Sequence, residues 1–140
     1  MALRASQLKI GDTQSEIVVE NLSRTQIVMY AGVSGDYNPL HSDEVYTTQA
    51  AGYPSVFAHG MLTMGLTSKM LTNYVGDGRL TKFGVRFTNQ VWPGDTLETI
   101  ATVAAIREEH GQKLVDLTLS TKNQDGKEVV SGTATARIDA

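Results

Sequence analysis

The residues best suited to chemistry lie in one run, Ser34-Gly35-Asp36-Tyr37-Asn38-Pro39-Leu40-His41-Ser42-Asp43, which holds one of only three histidines in the chain. The residue before a proline is pushed out of the helical region, so Asn38-Pro39 predicts a bent loop in which Asp36 and His41 can meet. A carboxylate beside an imidazole suits the activation of water, because such a pair exchanges a proton near neutral pH. The same residue types also serve duller ends, an Asp capping a turn and a His on the surface. Spacing alone leaves both readings open.

A second cluster, Ala58-His59-Gly60-Met61, stands where a long apolar run begins. The free N–H groups and dipole of a helix N-terminus favour developing negative charge there, and Gly60 lets a substrate approach the backbone. One N–H aimed at a developing oxyanion is worth about 3 kcal/mol, enough to polarise an ester or thioester carbonyl strongly. Gly60 also fits plain capping and packing. His59 either is held in the structure by hydrogen bonds or touches substrate.

Other chemistries lose ground. With no cysteine there is no disulfide, no thiolate nucleophile and no cysteine-based metal site, a composition that fits the cytoplasm. Asp36, His41, Asp43 and His59 match no compact ligand spacing, so no metal is expected. His110, in the charged tip Glu108-Glu109-His110-Gly111, reads as solvated. No phosphate-binding loop, G-x-S-x-G or strand-linked G-x-G-x-x-G occurs. A formal net charge of −3 argues against a nucleic-acid partner, and no apolar stretch approaches the ~20 residues of a membrane span. Nor does the N-terminus carry an apolar run of signal-peptide length.

These residues need positioning elements, and 140 residues that are 41% apolar suffice for one domain, residues 1–140, with a real core. Ser23-x-x-Gln26 has capping-box spacing and predicts a helix over 24–33, ended by Gly32 and Ser34-Gly35. Ser42 with Asp43 and Glu44 predicts a second helix over 43–50 that stops at Gly52. From Gly60 to Val75 apolar residues point in nearly every direction, so that helix, roughly 24 Å long, should be buried on most sides. Strands are expected at 79–91, 96–108, 112–122 and 127–138, with turns at Trp92-Pro93-Gly94-Asp95, His110-Gly111 and Gln124-Asp125-Gly126, and an edge strand at Ile17-Val18-Val19. Long antiparallel strands curl, which predicts an α+β domain whose sheet cradles the long helix.

Tyr30-Ala31-x-x-Ser34-Gly35-Asp36-x-Asn38-Pro39-Leu40-His41, followed by Ala58-His59-Gly60-Met61, resembles the hydratase motif of the MaoC-like (R)-specific enoyl-thioester hydratases and dehydratases. Val85-Arg86-Phe87 and Val91-x-Pro93-Gly94-Asp95-Thr96-Leu97 extend the likeness over most of the chain. The N-terminal Met1-Ala2-Leu3-Arg4, the Gly11-Asp12 pair and Ala58 to Gly65 are similar to the hydratase-motif subunit of heterodimeric (3R)-hydroxyacyl-ACP dehydratases. The resemblance implies a hot-dog fold, a curled antiparallel sheet around a central helix, in agreement with the periodicity.

It also implies roles. Asp36 and His41 become the catalytic pair holding one water, Asn38 shapes their loop, and Gly60 is the thioester oxyanion donor. Ser68 falls where some relatives place a hydroxyl near the pair, and Tyr53, Phe57, Met61 and Met64 would set the depth of the acyl tunnel. The implied reaction is reversible hydration of a trans-2-enoyl thioester to the (3R)-hydroxyacyl thioester, with substrate carried on CoA or acyl carrier protein and no other cofactor. A homodimer or a heterodimer with a second hot-dog subunit is expected. Lys69, Arg79, Lys82 and Arg86 are candidates for a basic rim facing the carrier. The rival readings are a hot-dog thioesterase, which drives water at the carbonyl carbon, and a non-catalytic partner subunit that only shapes a tunnel.

Overall fold

The structure, a computed structural model, describes residues 2–140. Its first long element, β1 (Thr13–Val19), extends the expected edge strand by four residues at its start. Helix α1 spans Arg24–Ser34. Ser23 caps it as its sequence predicts, its Oγ accepting the Gln26 N–H at 3.0 Å. Of the expected stops, Gly35, in the left-handed region at φ 76°, closes it, whereas Gly32 lies inside the helix.

The loop after α1 departs further from expectation. Pro39–His41 forms a tight 3-10 turn with Asn38 at its cap. In place of an α-helix over 43–50 the chain makes a helical turn that widens into a π-helix over Tyr46–Ala50, where Ala51 N–H reaches back five residues to the Tyr46 carbonyl at 3.0 Å. Asp43, not Ser42, supplies the cap, its Oδ1 accepting from Tyr46 N–H at 3.0 Å. Two threonines account for the widening. Thr48 donates its hydroxyl to the Glu44 carbonyl at 2.7 Å, and the fully buried Thr47 donates to the Pro39 carbonyl at 3.1 Å, so side chains compete with the α ladder.

Helix α2 (Gly60–Val75) is followed by β2 (Leu80–Phe87), β3 (Leu97–Glu109), β4 (Gln112–Lys122) and β5 (Glu128–Ile138). One sheet results, in the order β1-β3-β4-β5-β2, and every neighbouring pair is antiparallel. The β3–β4 turn uses two residues in the left-handed region, His110 at φ 51° and Gly111 at φ 78°, the geometry that matches strand twist in two-residue hairpins. Strand β2 stops at Phe87, earlier than its sequence suggests, because Thr88 and Asn89 turn their side chains onto the Glu128 carbonyl at 2.8 and 2.7 Å.

The core lies between the sheet and α2. Leu97, Thr99, Ala101 and Val103 of β3 are all buried, at the two-residue period of a strand facing a core. Leu62, Thr63, Thr67, Met70, Leu71 and Val75 form the buried side of α2. The helix is buried or half-buried on most sides, and one stripe stays open: Met61 is 57% exposed, and Gly65, Lys69 and Asn73 continue it at helical spacing. Within the core, Thr121 Oγ1 lies 2.8 Å from Thr67 Oγ1 and 2.7 Å from Thr99 Oγ1, a chain of three fully buried hydroxyls tying α2 to β3 and β4. The two ends of the chain meet at one edge, where Ala5 N–H donates to the Asp139 carbonyl at 2.8 Å and Asp139 N–H to the Leu3 carbonyl at 2.9 Å. No helix among the described residues is long and apolar enough to cross a membrane. This curled sheet holding a long helix is the hot-dog arrangement.

Candidate active site

The bend between α1 and α2 is held by its own polar side chains. Ser34 Oγ accepts the Asp36 N–H and Asp36 Oδ1 accepts the Asn38 N–H, both at 3.2 Å, while Asn38 Oδ1 accepts the Leu40 N–H at 3.0 Å. Asn38 therefore acts on the backbone of the loop. His41 is half-buried, and its Nδ1 sits 2.6 Å from the Phe57 carbonyl oxygen. A carbonyl only accepts, so Nδ1 carries the hydrogen. In the neutral ring Nε2 is then an unprotonated lone pair, the form a general base requires.

His59 is 1% exposed and caps the start of α2. Its Nε2–H donates to the Asp36 carbonyl at 3.0 Å. Its ring stacks on His41, with centroids 3.8 Å apart and planes 25° apart, and Tyr30 meets it edge-on at 4.8 Å. Nδ1 of His59 has no hydrogen-bond partner among the described residues. Burial lowers the pKa of His59, the bond to Asp36 opposes this, and the neighbouring His41 lowers it further. Ligand-type atoms of Asp36, His41 and His59 lie within 4.8 Å of one another. Stacked imidazoles direct their in-plane lone pairs side by side instead of at a common point, and one nitrogen of each ring is bound to a carbonyl, so the trio suits proton handling better than metal ligation.

Gly60 opens α2, where the first N–H groups have no acceptor within the helix. A Cβ built on Gly60 would lie 3.0 Å from the ring of Phe87, so a close aromatic neighbour favours a glycine here. Phe87, at the end of β2 and 51% exposed, joins Phe57, Gly60, Thr63 and Val129 around a cavity of about 290 Å³. Neither Asp36 nor His41 lines this cavity. Phe57 links the two places: its carbonyl anchors His41, its ring meets Tyr53 at 4.9 Å and Trp92 at 5.7 Å, and it forms part of the wall.

The other expected site residues are spread more widely. Tyr53 touches Phe57 but, like Met61 and Met64, does not line the cavity. Ser68 donates its hydroxyl to the Gly65 carbonyl at 2.6 Å, back onto its own helix. Of the basic residues, Arg79 is paired with Asp139 at 2.8 Å, whereas Lys69, Lys82 and Arg86 are exposed. Sequence reasoning missed the Phe57 carbonyl, which no side-chain pattern encodes, and gave the Phe87 ring no place at the site, although Val85-Arg86-Phe87 was part of the family likeness.

Comparison with known proteins identifies the family. The model of the MaoC like domain matches residues 6–125. The chain is 36% identical over 100 residues to 3-hydroxyacyl-thioester dehydratase Y of Mycobacterium tuberculosis, a match covering 69% of this chain and 34% of that protein. It therefore spans about a third of that relative's length. It is 33% identical over 133 residues to the (R)-specific enoyl-CoA hydratase of Rhodospirillum rubrum, covering 94% of this chain and 90% of the relative. Among solved structures, an (R)-hydratase from A. caviae superposes with a TM-score of 0.83 at 26% identity, over 96% of this chain and 99% of the other. With a loop, a buried histidine and a helix start arranged as described, and a family model matching most of its length, the chain belongs to the MaoC-like domain family.

Proposed function

We propose that this protein catalyses the reversible addition of water to trans-2-enoyl thioesters, giving (3R)-hydroxyacyl thioesters, with Asp36 and His41 as the water-activating pair. The observation that carries this reading is the hydrogen bond from His41 Nδ1 to the Phe57 carbonyl, which leaves Nε2 as a base beside a carboxylate. In the hydration direction His41 Nε2 takes one proton of the water as its oxygen bonds to C3. The C2–C3 π pair moves toward the carbonyl, and the developing negative charge on the thioester oxygen meets the Gly60 N–H. The proton taken up from the water is then passed on to C2, which completes the addition and restores the neutral ring, and the reverse sequence expels water.

The substrate belongs on a pantetheine arm, of CoA or of a carrier protein, and the reading needs no metal or further cofactor. The relatives named above, a thioester dehydratase and an enoyl-CoA hydratase, support the substrate class. A dimer is part of the same reading. Strand β2 is a sheet edge with one row of unpaired backbone groups, and half-exposed Phe87 lies at its end beside Gly60. A cytoplasmic location accords with the cysteine-free composition.

The test is the ultraviolet absorbance of crotonyl-CoA incubated with the purified protein, with free thiol followed in parallel and the product resolved on a chiral column. Loss of the conjugated enoyl band without thiol release, giving the (3R)-hydroxy product, is expected. Thiol release would identify a thioesterase. If neither changes with crotonyl or longer enoyl thioesters, on CoA or on carrier protein, the assignment fails.

A further inference from the structure

We propose that His59 is the positioning residue of the Asp36–His41 pair, holding the Asp36 backbone through its Nε2–H and bracing the His41 ring by stacking. The inference rests on the reading of Asp36 and His41 as the water-activating pair.

The Asp36 carbonyl accepts from Nε2 at 3.0 Å, so that nitrogen must carry hydrogen. The second nitrogen, Nδ1, is buried and unpartnered. A hydrogen there would leave a buried donor, and a positive charge, without a partner, which costs far more than a bare lone pair. His59 therefore stays neutral in a single tautomer. The groups facing it from neighbouring elements are Tyr30 on α1 and Asp36 and His41 on the loop, and burial keeps its proton affinity low among them.

One rigid imidazole thus touches both members of the pair. Asp36 lies on an exposed loop whose other contacts from elsewhere in the chain come further along, Thr47 to the Pro39 carbonyl and Phe57 N–H to the Leu40 carbonyl, while Asp36 itself is otherwise held by its near neighbours, Ser34 to Asp36 and Asp36 to Asn38. The bond to His59 ties this loop to the start of α2, 23 residues away. The stack at 3.8 Å sets the plane of His41, whose remaining ring bond is the one to Phe57. Proton transfer to water depends on where the carboxylate and Nε2 stand, and a displacement of about 1 Å can cost ~10²-fold in rate. His59 therefore acts on turnover through its two neighbours, without taking up the proton itself.

Three proteins test this: wild type, His59→Gln, which keeps an N–H at a comparable reach, and His59→Leu, which fills the space without a donor. Melting curves establish that each is folded. The expected result is a kcat in His59→Leu lower by about tenfold or more with KM within about threefold, and substantial recovery of kcat in His59→Gln. Wild-type turnover in His59→Leu, or no advantage of Gln over Leu, overturns the inference.

NMR of labelled histidine side chains in the wild type supplies a readout independent of activity and of the folding of any variant. His59 is expected to stay in the Nε2–H tautomer between pH 5.5 and 8, windows set by the ordinary histidine pKa of about 6.5. A proton on Nδ1 in that range overturns the inference. Should the wild type hydrate no enoyl thioester, the functional reading fails by itself, and the tautomer still decides whether His59 holds Asp36 as described.

Discussion

Nδ1 of His41 lies 2.6 Å from the carbonyl oxygen of Phe57, sixteen residues further along the chain. That contact fixes which nitrogen of His41 keeps its lone pair free, and it makes the orientation of the ring a property of the backbone at Phe57. Changing the Phe57 side chain should leave the tautomer of His41 intact. Removing the imidazole, in His41→Ala, or the charge, in Asp36→Asn, should lower turnover of enoyl thioester by at least ~10²-fold, the usual scale of general acid–base catalysis. Steady-state kinetics on variants with unchanged melting curves will check this, and near wild-type rates in either variant would remove the assigned mechanism.

Gly60 can be examined through its N–H and its missing side chain separately. Gly60→Ala keeps the N–H but crowds Phe87, whose half-exposed ring has room to swing, so the variant should fold and show mainly a raised KM. Gly60→Pro adds similar bulk and removes the N–H at the first position of a helix, where proline is tolerated. The expected kcat for the proline variant is about 10²-fold below that of the alanine variant, as when one oxyanion donor is lost. Equal kcat values would free Gly60 from that role.

Acid should act on stability in two separate windows. The pKa of His59 is lowered in the fold, so below about pH 6.5 the unfolded chain takes up a proton that the folded chain refuses, and stability falls as pH falls. The carboxylate of Asp116 is also held below its ordinary value, chiefly by its hydrogen bond from Arg107, and its contribution is lost only as pH falls below about 4. Urea titrations between pH 5 and 7 should show a decline that His59→Gln removes. A decline of the same size in that variant would assign it elsewhere.

Thr121 stands at the centre of the buried hydroxyl chain. Thr121→Val keeps the shape and leaves Thr67 and Thr99 without their shared partner. The expected cost is about 1–3 kcal/mol of unfolding free energy, whereas the triple change to valine should recover part of it, because the orphaned groups go as well. Denaturant midpoints at constant m-value measure both. A single variant as stable as wild type would show that the hydroxyls find other partners.

Much of this architecture is legible in the residues. Turn chemistry at Ser23, His110-Gly111 and Gly126 marks where elements begin and end, and the two-residue alternation along Leu97 to Val103 identifies the face of β3 that meets the helix. The long apolar run of α2 announces its burial on most sides but not the open stripe from Met61 to Asn73, because hydrophobicity says that a surface wants covering and not whether the same chain supplies the cover. The turn over 43–50 is misjudged for a different reason: Thr47 and Thr48 bond to backbone carbonyls, a competition that composition does not reveal. The site divides in the same way. Residue type and spacing single out Asp36, His41 and Gly60 only as candidates, to which the family resemblance attaches roles, and the structure gathers Asp36, His41 and His59 while leaving Ser68 bonded to its own helix. The Phe57 carbonyl and the stacking of His59 on His41 depend on tertiary placement across 16 and 18 positions of sequence, which no local pattern carries.

The meeting of Leu3 and Ala5 with Asp139 makes the entrance and exit of the chain near neighbours on the molecule. A unit closed in this way can be carried within a larger polypeptide like a bead on a thread, its flanking segments leaving side by side without crossing the sheet. The same closure allows the segments at Leu3 and Asp139 to be joined by a short linker and new ends to be opened at a surface turn, so the order in which the strands are synthesised is separable from the shape they finally share.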